Sequence, residues 1–181
     1  MLLDARHATL LIVDIQDRLL PAMHEGTRVI ARTQILMKAA EVLALPITIS
    51  EQYPKGLGKT VPDIASNTAQ VFEKTSFSCW RDPAMKTHFI NHHETDRPLA
   101  VIAGIEAHVC VLQTAVDLHA AGFGVFVVAD AISSRKQESI DLAHARLRQT
   151  DIQIINTEMA IFELLGRAGT PEFKALSALI R

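Results

Sequence analysis

The chain has 181 residues, a formal charge of −2 at pH 7, 49% hydrophobic and 21% charged residues; these values predict one globular domain, 1–181, able to bury a core without disulfides. With no basic face and no block of five like charges, nucleic acid and other polyanions are not expected partners. The opening MLLDARHATLLIVDIQDRLL has an apolar run too short and too broken by acids for a signal peptide or a membrane span, and two cysteines, Cys79 and Cys110, are too few for a disulfide framework, so a cytoplasmic protein without a membrane partner is expected.

Ala8 to Val13 (ATLLIV) is apolar throughout, as in a central parallel strand covered on both faces, and it runs into Asp14, Gln16 and Asp17. Val29, Ile30, Ile35, Leu36, Ala39, Val42 and Leu43 recur at helical spacing and predict a helix over 27–45, closed by Pro46. A second strand, 46–50, leads into EQYPKGLGKTVPD, whose prolines and glycines predict a long loop of the kind that more often carries function than not. A third strand at 70–73 is followed by Lys74, then by a helix over 82–91.

LAVIAGIEAHVCVL, Leu99 to Leu112, reads as a buried strand (99–103), a turn at Gly104, Ile105 and Glu106, and the start of a helix over 107–121 that carries Cys110. Gly122 is its C′ residue and Val125 to Ala129 the next strand, ending in Asp130. A helix over 137–148, a strand at 152–155 and helices over 158–165 and 171–179 complete the chain. Strands alternating with helices of about a dozen residues predict an α/β fold: a doubly wound three-layer α/β/α sandwich with a mostly parallel sheet.

Ligands of such sheets bind outside the carboxyl ends of the strands. Asp14, Lys74 and Cys110 all fall there. A helix start and a nearby ammonium favour the thiolate of Cys110, Asp14 is placed to accept and return a proton, and Lys74 to orient the carboxylate. Taken singly, each has a plain structural role: a capping Asp, a core Cys, a solvated Lys. Their coincidence at one edge is what speaks for chemistry. His108, by its helical spacing, points away from Cys110. Cys79 and Trp80, just past Lys74, are weighed between pocket lining and core packing; Gln16 and Tyr53 are further pocket-wall candidates, and Asp130 is read as capping or tying down the turn after its strand.

Asp14 in LIVDIQ, Lys74 in EKTSFS and Cys110 in GIEAHVCV resemble the three signature segments of the isochorismatase-like cysteine hydrolases, in order and at fitting separations. The likeness continues through VVADAISSR (127–135) and, in EQYPKGLG (51–58), is nearest to the small isochorismatase-domain proteins. The resemblance implies Cys110 as nucleophile, Asp14 as acid/base and Lys74 as its charged partner. It also implies a cis peptide between Ile105 and Glu106 that aims the Glu106 and Cys110 N–H groups at an oxyanion. Nicotinamidases of this fold bind a metal through histidines after the second strand; SEQYPKGLGKT has none, so neither a catalytic metal nor any other cofactor is expected, and nicotinamide is disfavoured. Isochorismatases that cleave a vinyl ether lack the cysteine. The resulting expectation is a cofactor-independent hydrolase, a homo-oligomer, cleaving an amide or related C–N bond of a small molecule. The alternative is a non-catalytic binding or interaction module that keeps the fold.

Overall fold

Parallel strands buried on both faces must be covered by helices on each side, and the apolar runs do assemble in that way. In the computed structural model, which describes residues 1–180, the strands are β1 (Ala8–Val13), β2 (Ile47–Gln52), β3 (Gln70–Lys74), β4 (Leu99–Ile105), β5 (Gly124–Ser133) and β6 (Gln153–Ile155). The helices are α1 (Gly26–Val42), α2 (Pro54–Leu57), α3 (Pro83–Glu94), α4 (Leu112–Ala120), α5 (Gln137–Leu147), α6 (Thr157–Leu165) and α7 (Pro171–Ser177). The six strands form one sheet in the order β3-β2-β1-β4-β5-β6, and every pairing is parallel. This is the single-domain, doubly wound α/β/α architecture expected. Strand order reverses between β1 and β4, which opens a crevice at their carboxyl ends.

Alternate residues of each strand serve opposite layers. Leu10, Ile12, Val101 and Phe126 pack with Val29, Leu36 and Ala40 of α1 and Ala160 and Leu164 of α6. Leu11, Val13, Ile102 and Val127 pack with Met85 and Phe89 of α3, Leu112 and Leu118 of α4, and Leu147 of α5. No described helix is long and apolar enough to cross a membrane.

Local chemistry moves several boundaries. Helix α1 stops at Val42 rather than at 45 because Ala44 takes a left-handed conformation (φ 56°), which lets the Leu45 N–H reach back to the Ala40 carbonyl at 2.8 Å. Asp82 caps α3, accepting from the N–H groups of Ala84 (3.0 Å) and Met85 (3.1 Å). Strand β5 runs on to Ser133, so Asp130 lies inside it. Its carboxylate has a structural role, but toward a distant element rather than the next turn: it accepts from the N–H and hydroxyl of Thr157 at the start of α6 (2.8 and 2.9 Å) and pairs with Arg32.

Strand β4 likewise extends through Gly104 and Ile105, which were expected to turn. Gly104 has φ +123°, and a Cβ there would sit 2.1 Å from the Val13 carbonyl oxygen. Only glycine allows β4 to approach β1 this closely at the end where Asp14 emerges.

Candidate active site

Asp14 leaves β1 with φ 52°, in the left-handed region that Asp tolerates better than most residues, at a cost of about 1–3 kcal/mol. Its N–H donates to the Ser50 carbonyl (3.1 Å). The side chain is fully buried, and so is that of Lys74, the last residue of β3. Lys74 Nζ donates to Asp14 Oδ2 at 2.8 Å, to Gln52 Oε1 at 2.7 Å and to the Phe77 carbonyl at 3.2 Å, so all three ammonium protons are taken. Burial opposes the Lys74 charge, but the Asp14 carboxylate outweighs that, and its pKa is raised. The other oxygen of Asp14, Oδ1, accepts from Ser50 Oγ at 2.7 Å.

Cys110 lies one turn into a π-helical segment, Ala107–Val111, that precedes α4; such one-turn distortions are frequent at functional sites. The N–H groups of Val109 and Val111 both donate to the Glu106 carbonyl (3.1 and 3.2 Å). The Ile105–Glu106 peptide is cis, as the resemblance implied. Cys110 is 5% exposed. The expectation of a ready thiolate meets a correction here. Burial, reinforced by the negative charge of Asp14, pushes the Cys110 thiol well above its usual range, and Lys74 offsets only part of this. The physical reason is that the Lys74 charge is already committed to Asp14, at contact distance, and that the sulfur is out of water.

The remaining candidates divide. Gln16 is fully buried and its amide is spent on the chain: Nε2 donates to the carbonyls of Gln52 (3.1 Å) and Gly58 (2.7 Å), and Oε1 accepts from the Gln52 N–H (2.8 Å). It pins the 52–58 loop and offers no free group to a ligand. The Trp80 ring packs edge-on to Phe123 (6.0 Å) with Lys86 Nζ 5.4 Å over its face. Tyr53 is 55% exposed and lines a cavity of about 330 Å³ with Pro54, Lys55, Glu73, Lys74, Thr75 and Asp82. His108 turns its Nδ1 to Ser134 Oγ (2.9 Å), and the Glu106 carboxylate is held by Arg135 (2.9 Å).

Two groups at the site carry no spacing signal that would single them out: Ser50 and Gln52. They are two apart on β2, so they share a face, and Gln52 is the register partner of Lys74. Polar residues at alternate positions near the carboxyl end of a fully buried strand were the available clue. Cys79 lies beside Ser50, with its Sγ 3.6 Å from Ser50 Oγ and its N–H on Thr114 Oγ1 (2.9 Å).

A family model described as the isochorismatase domain matches residues 8–159. Isochorismatase domain-containing protein 2 of Danio rerio is 34% identical over 178 residues, covering 98% of this chain and 89% of its own length. Among solved structures, one described as MAR1 ribonuclease from Caenorhabditis elegans superposes with a TM-score of 0.90 at 33% identity, covering 99% of this chain and 92% of that one. The YcaC gene product of Escherichia coli, described as an octameric hydrolase of unknown specificity, has a TM-score of 0.89 at 23% identity over 99% of this chain and 90% of its own, a likeness of fold.

Proposed function

The chain belongs to the isochorismatase family, a family with a hydrolase fold, and from that premise we propose that it is a cysteine hydrolase cleaving an amide or related C–N bond of a small molecule. One observation carries this reading. A fully buried Lys74–Asp14 ion pair, 2.8 Å long, lies where its charges act on the Cys110 thiol, and a buried ion pair is costly to keep for stability alone.

In the proposed mechanism Cys110 rests as the thiol. As its sulfur attacks the carbonyl carbon, Asp14 takes the S–H proton and the carbonyl electron pair moves onto oxygen, toward the N–H groups we assign to the oxyanion hole, those of Glu106 and Cys110. Collapse breaks the C–N bond, and Asp14 hands its proton to the departing amine. Water then attacks the thioester, giving its proton to Asp14. The C–S bond breaks and the thiol is restored. Lys74 keeps the carboxylate oriented throughout. No step calls on a metal or another cofactor.

The test is incubation with a panel of small amides and esters, read by product formation and by intact mass for an acyl adduct. Wild type should turn over at least one member and carry the adduct, and Cys110→Ala should do neither. Turnover by Cys110→Ala at the wild-type rate overturns the reading. One observation favours the alternative, a non-catalytic binding module: the reacting sulfur is buried, and neither it nor Asp14 lines the 330 Å³ cavity. Binding of a panel member by wild type with neither product nor acyl adduct would select that alternative.

The reading extends to a cytoplasmic homo-oligomer, on the two unpaired cysteines and the exposed apolar Leu142, Met159 and Phe162 on helices α5 and α6. The ribonuclease description of the C. elegans protein is not carried over. The chain bears a net charge of −2, Lys74 is committed to Asp14, and the cavity is lined by the acids Glu73 and Asp82 as well as Lys55, a poor setting for a phosphate backbone.

A further inference from the structure

Cys79 is a buried thiol that the mechanism above does not use, yet it is hydrogen-bonded to a residue that touches Asp14. Its Sγ is 3.6 Å from Ser50 Oγ as donor, and Ser50 Oγ in turn donates to Asp14 Oδ1 at 2.7 Å. A serine hydroxyl has one proton and can rotate, so by itself it need not point at the carboxylate. A protonated thiol behind it fills an acceptor site on Ser50 and leaves its proton for Asp14. Burial pushes the Cys79 thiol up to about 11, so it stays a donor at neutral pH. The thiol is in turn fixed from α4, through the 2.9 Å bond from the Cys79 N–H to Thr114 Oγ1. Cys79, Ser50 and Thr114 are all fully buried, so water does not compete for these bonds.

We infer that Cys79 and Ser50 form a one-way hydrogen-bond relay that positions Asp14 for proton transfer. Asp14 is then gripped at both oxygens, by Ser50 at Oδ1 and by Lys74 at Oδ2, and its carboxylate plane is not free to turn about the Cβ–Cγ bond. What this secures is the aim of the remaining lone pairs toward the thiol and later toward the leaving nitrogen. Both Cys79 and Ser50 are positioning residues: they act through Asp14 and touch no reacting atom. The inference rests on the proposed cysteine-hydrolase reading and deepens it.

The consequences differ from those of a packing role. An alkyl amide needs its nitrogen protonated to leave, whereas an activated aryl ester does not. Ser50→Ala is therefore expected to lower kcat for an amide about tenfold, a fraction of the 10²–10⁴ that a positioned acid/base contributes, with KM unchanged and a smaller effect on the ester. Cys79→Ala should do the same more weakly. Ser50→Thr and Cys79→Ser, which keep the donors, should restore wild-type rates. A uniform fall on amide and ester, or no rescue by the conservative variants, overturns the relay.

Acyl-adduct formation on Cys110 within a single turnover of an amide, followed by intact mass, separates the two readings. Asp14→Asn can neither take the thiol proton nor hand it to the leaving nitrogen and should form the adduct far more slowly, and Ser50→Ala should slow it less. If Asp14→Asn forms the adduct at the wild-type rate, the hydrolase mechanism itself fails. If Asp14→Asn is slow while Ser50→Ala matches wild type, the mechanism stands and the relay fails.

Discussion

Asp14 meets four demands at once: it leaves β1 in a left-handed conformation, is fully buried, balances the charge of Lys74 and accepts a hydroxyl proton from Ser50. Removing it leaves an ammonium in the interior with no counter-charge. Asp14→Ala should therefore cost about 3–5 kcal/mol of unfolding free energy, measured by urea titration. Cys110→Ala removes a neutral thiol and should cost far less in the same titration, while lowering turnover about 10³-fold or more, as loss of a nucleophile does. The sequence made the three legible because Asp14 directly follows the apolar run ATLLIV, Lys74 ends the third strand and Cys110 stands at the start of the helix after the fourth, positions that parallel topology converts into a shared edge. Ser50 and Gln52 were hidden, since Ser and Gln near the end of a strand are ordinary, and their role depends on which side chains the neighbouring strands place opposite them. Gln16 was legible as a residue of the site region but not in its role, which is set by carbonyls 36 and 42 positions away.

The element that closes the site is β4 with the π-helical segment after it. At Gly104 the β4 backbone lies close against β1, and a methyl group there would overlap the Val13 backbone at 2.1 Å besides occupying φ +123°. Gly104→Ala should lower stability by about 3 kcal/mol or more and should displace Asp14 along with the Cys110 segment. A thermal melt and the alkylation rate of Cys110 check the two effects together. The loop after β2 shows a different kind of control. Gln16 holds it by three hydrogen bonds, and Glu51, 3% exposed, holds it from the other side through Thr60 and Lys59. Gln16→Ala should free residues 52–58, seen as faster amide hydrogen exchange there, and should raise KM more than it lowers kcat if Tyr53 forms the pocket wall. The loop was expected to be functional from its length and its prolines. Its anchoring was not readable, because it comes from a residue of β1's exit loop.

At the scale of the whole molecule, buried titratable groups give stability a ceiling in alkaline solution. The unfolded chain ionises its thiols near about pH 8.5, whereas burial holds Cys79 neutral up to about 11 and Cys110 higher still. Above the unfolded pKa the unfolded state has lost protons that the folded state keeps, so rising pH favours unfolding. Stability should fall between about pH 9 and 11, and Cys79→Ala should flatten that fall in pH-dependent melts. On the acid side the sign reverses with the direction of the shift. Burial between Thr48 and His92 pushes His88 down to about 4, and His92 and His144 are lowered as well. The unfolded chain takes up those protons near pH 6.5, so stability is expected to decline as the pH falls from about 6.5 to 4. Self-association, the other property at this scale, is expected to appear in light scattering as a mass at least twice the 19.9 kDa of one chain.

Sequence alone determined the α/β class, the positions of the six strands and the three side chains on which the proposed chemistry turns, because period, burial and breaker residues act locally and parallel strands leave a continuous apolar signature. It also determined, through resemblance, that the Ile105–Glu106 peptide would be cis. What only the tertiary structure decided is the state of those groups. Whether Lys74 serves Cys110 or Asp14, whether the thiol rests protonated, and whether Gln16 faces a ligand or a loop are all set by distances of about 3 Å between residues far apart in the chain. At that range, in an interior poor in water, one hydrogen bond more or less decides which charge a group can hold.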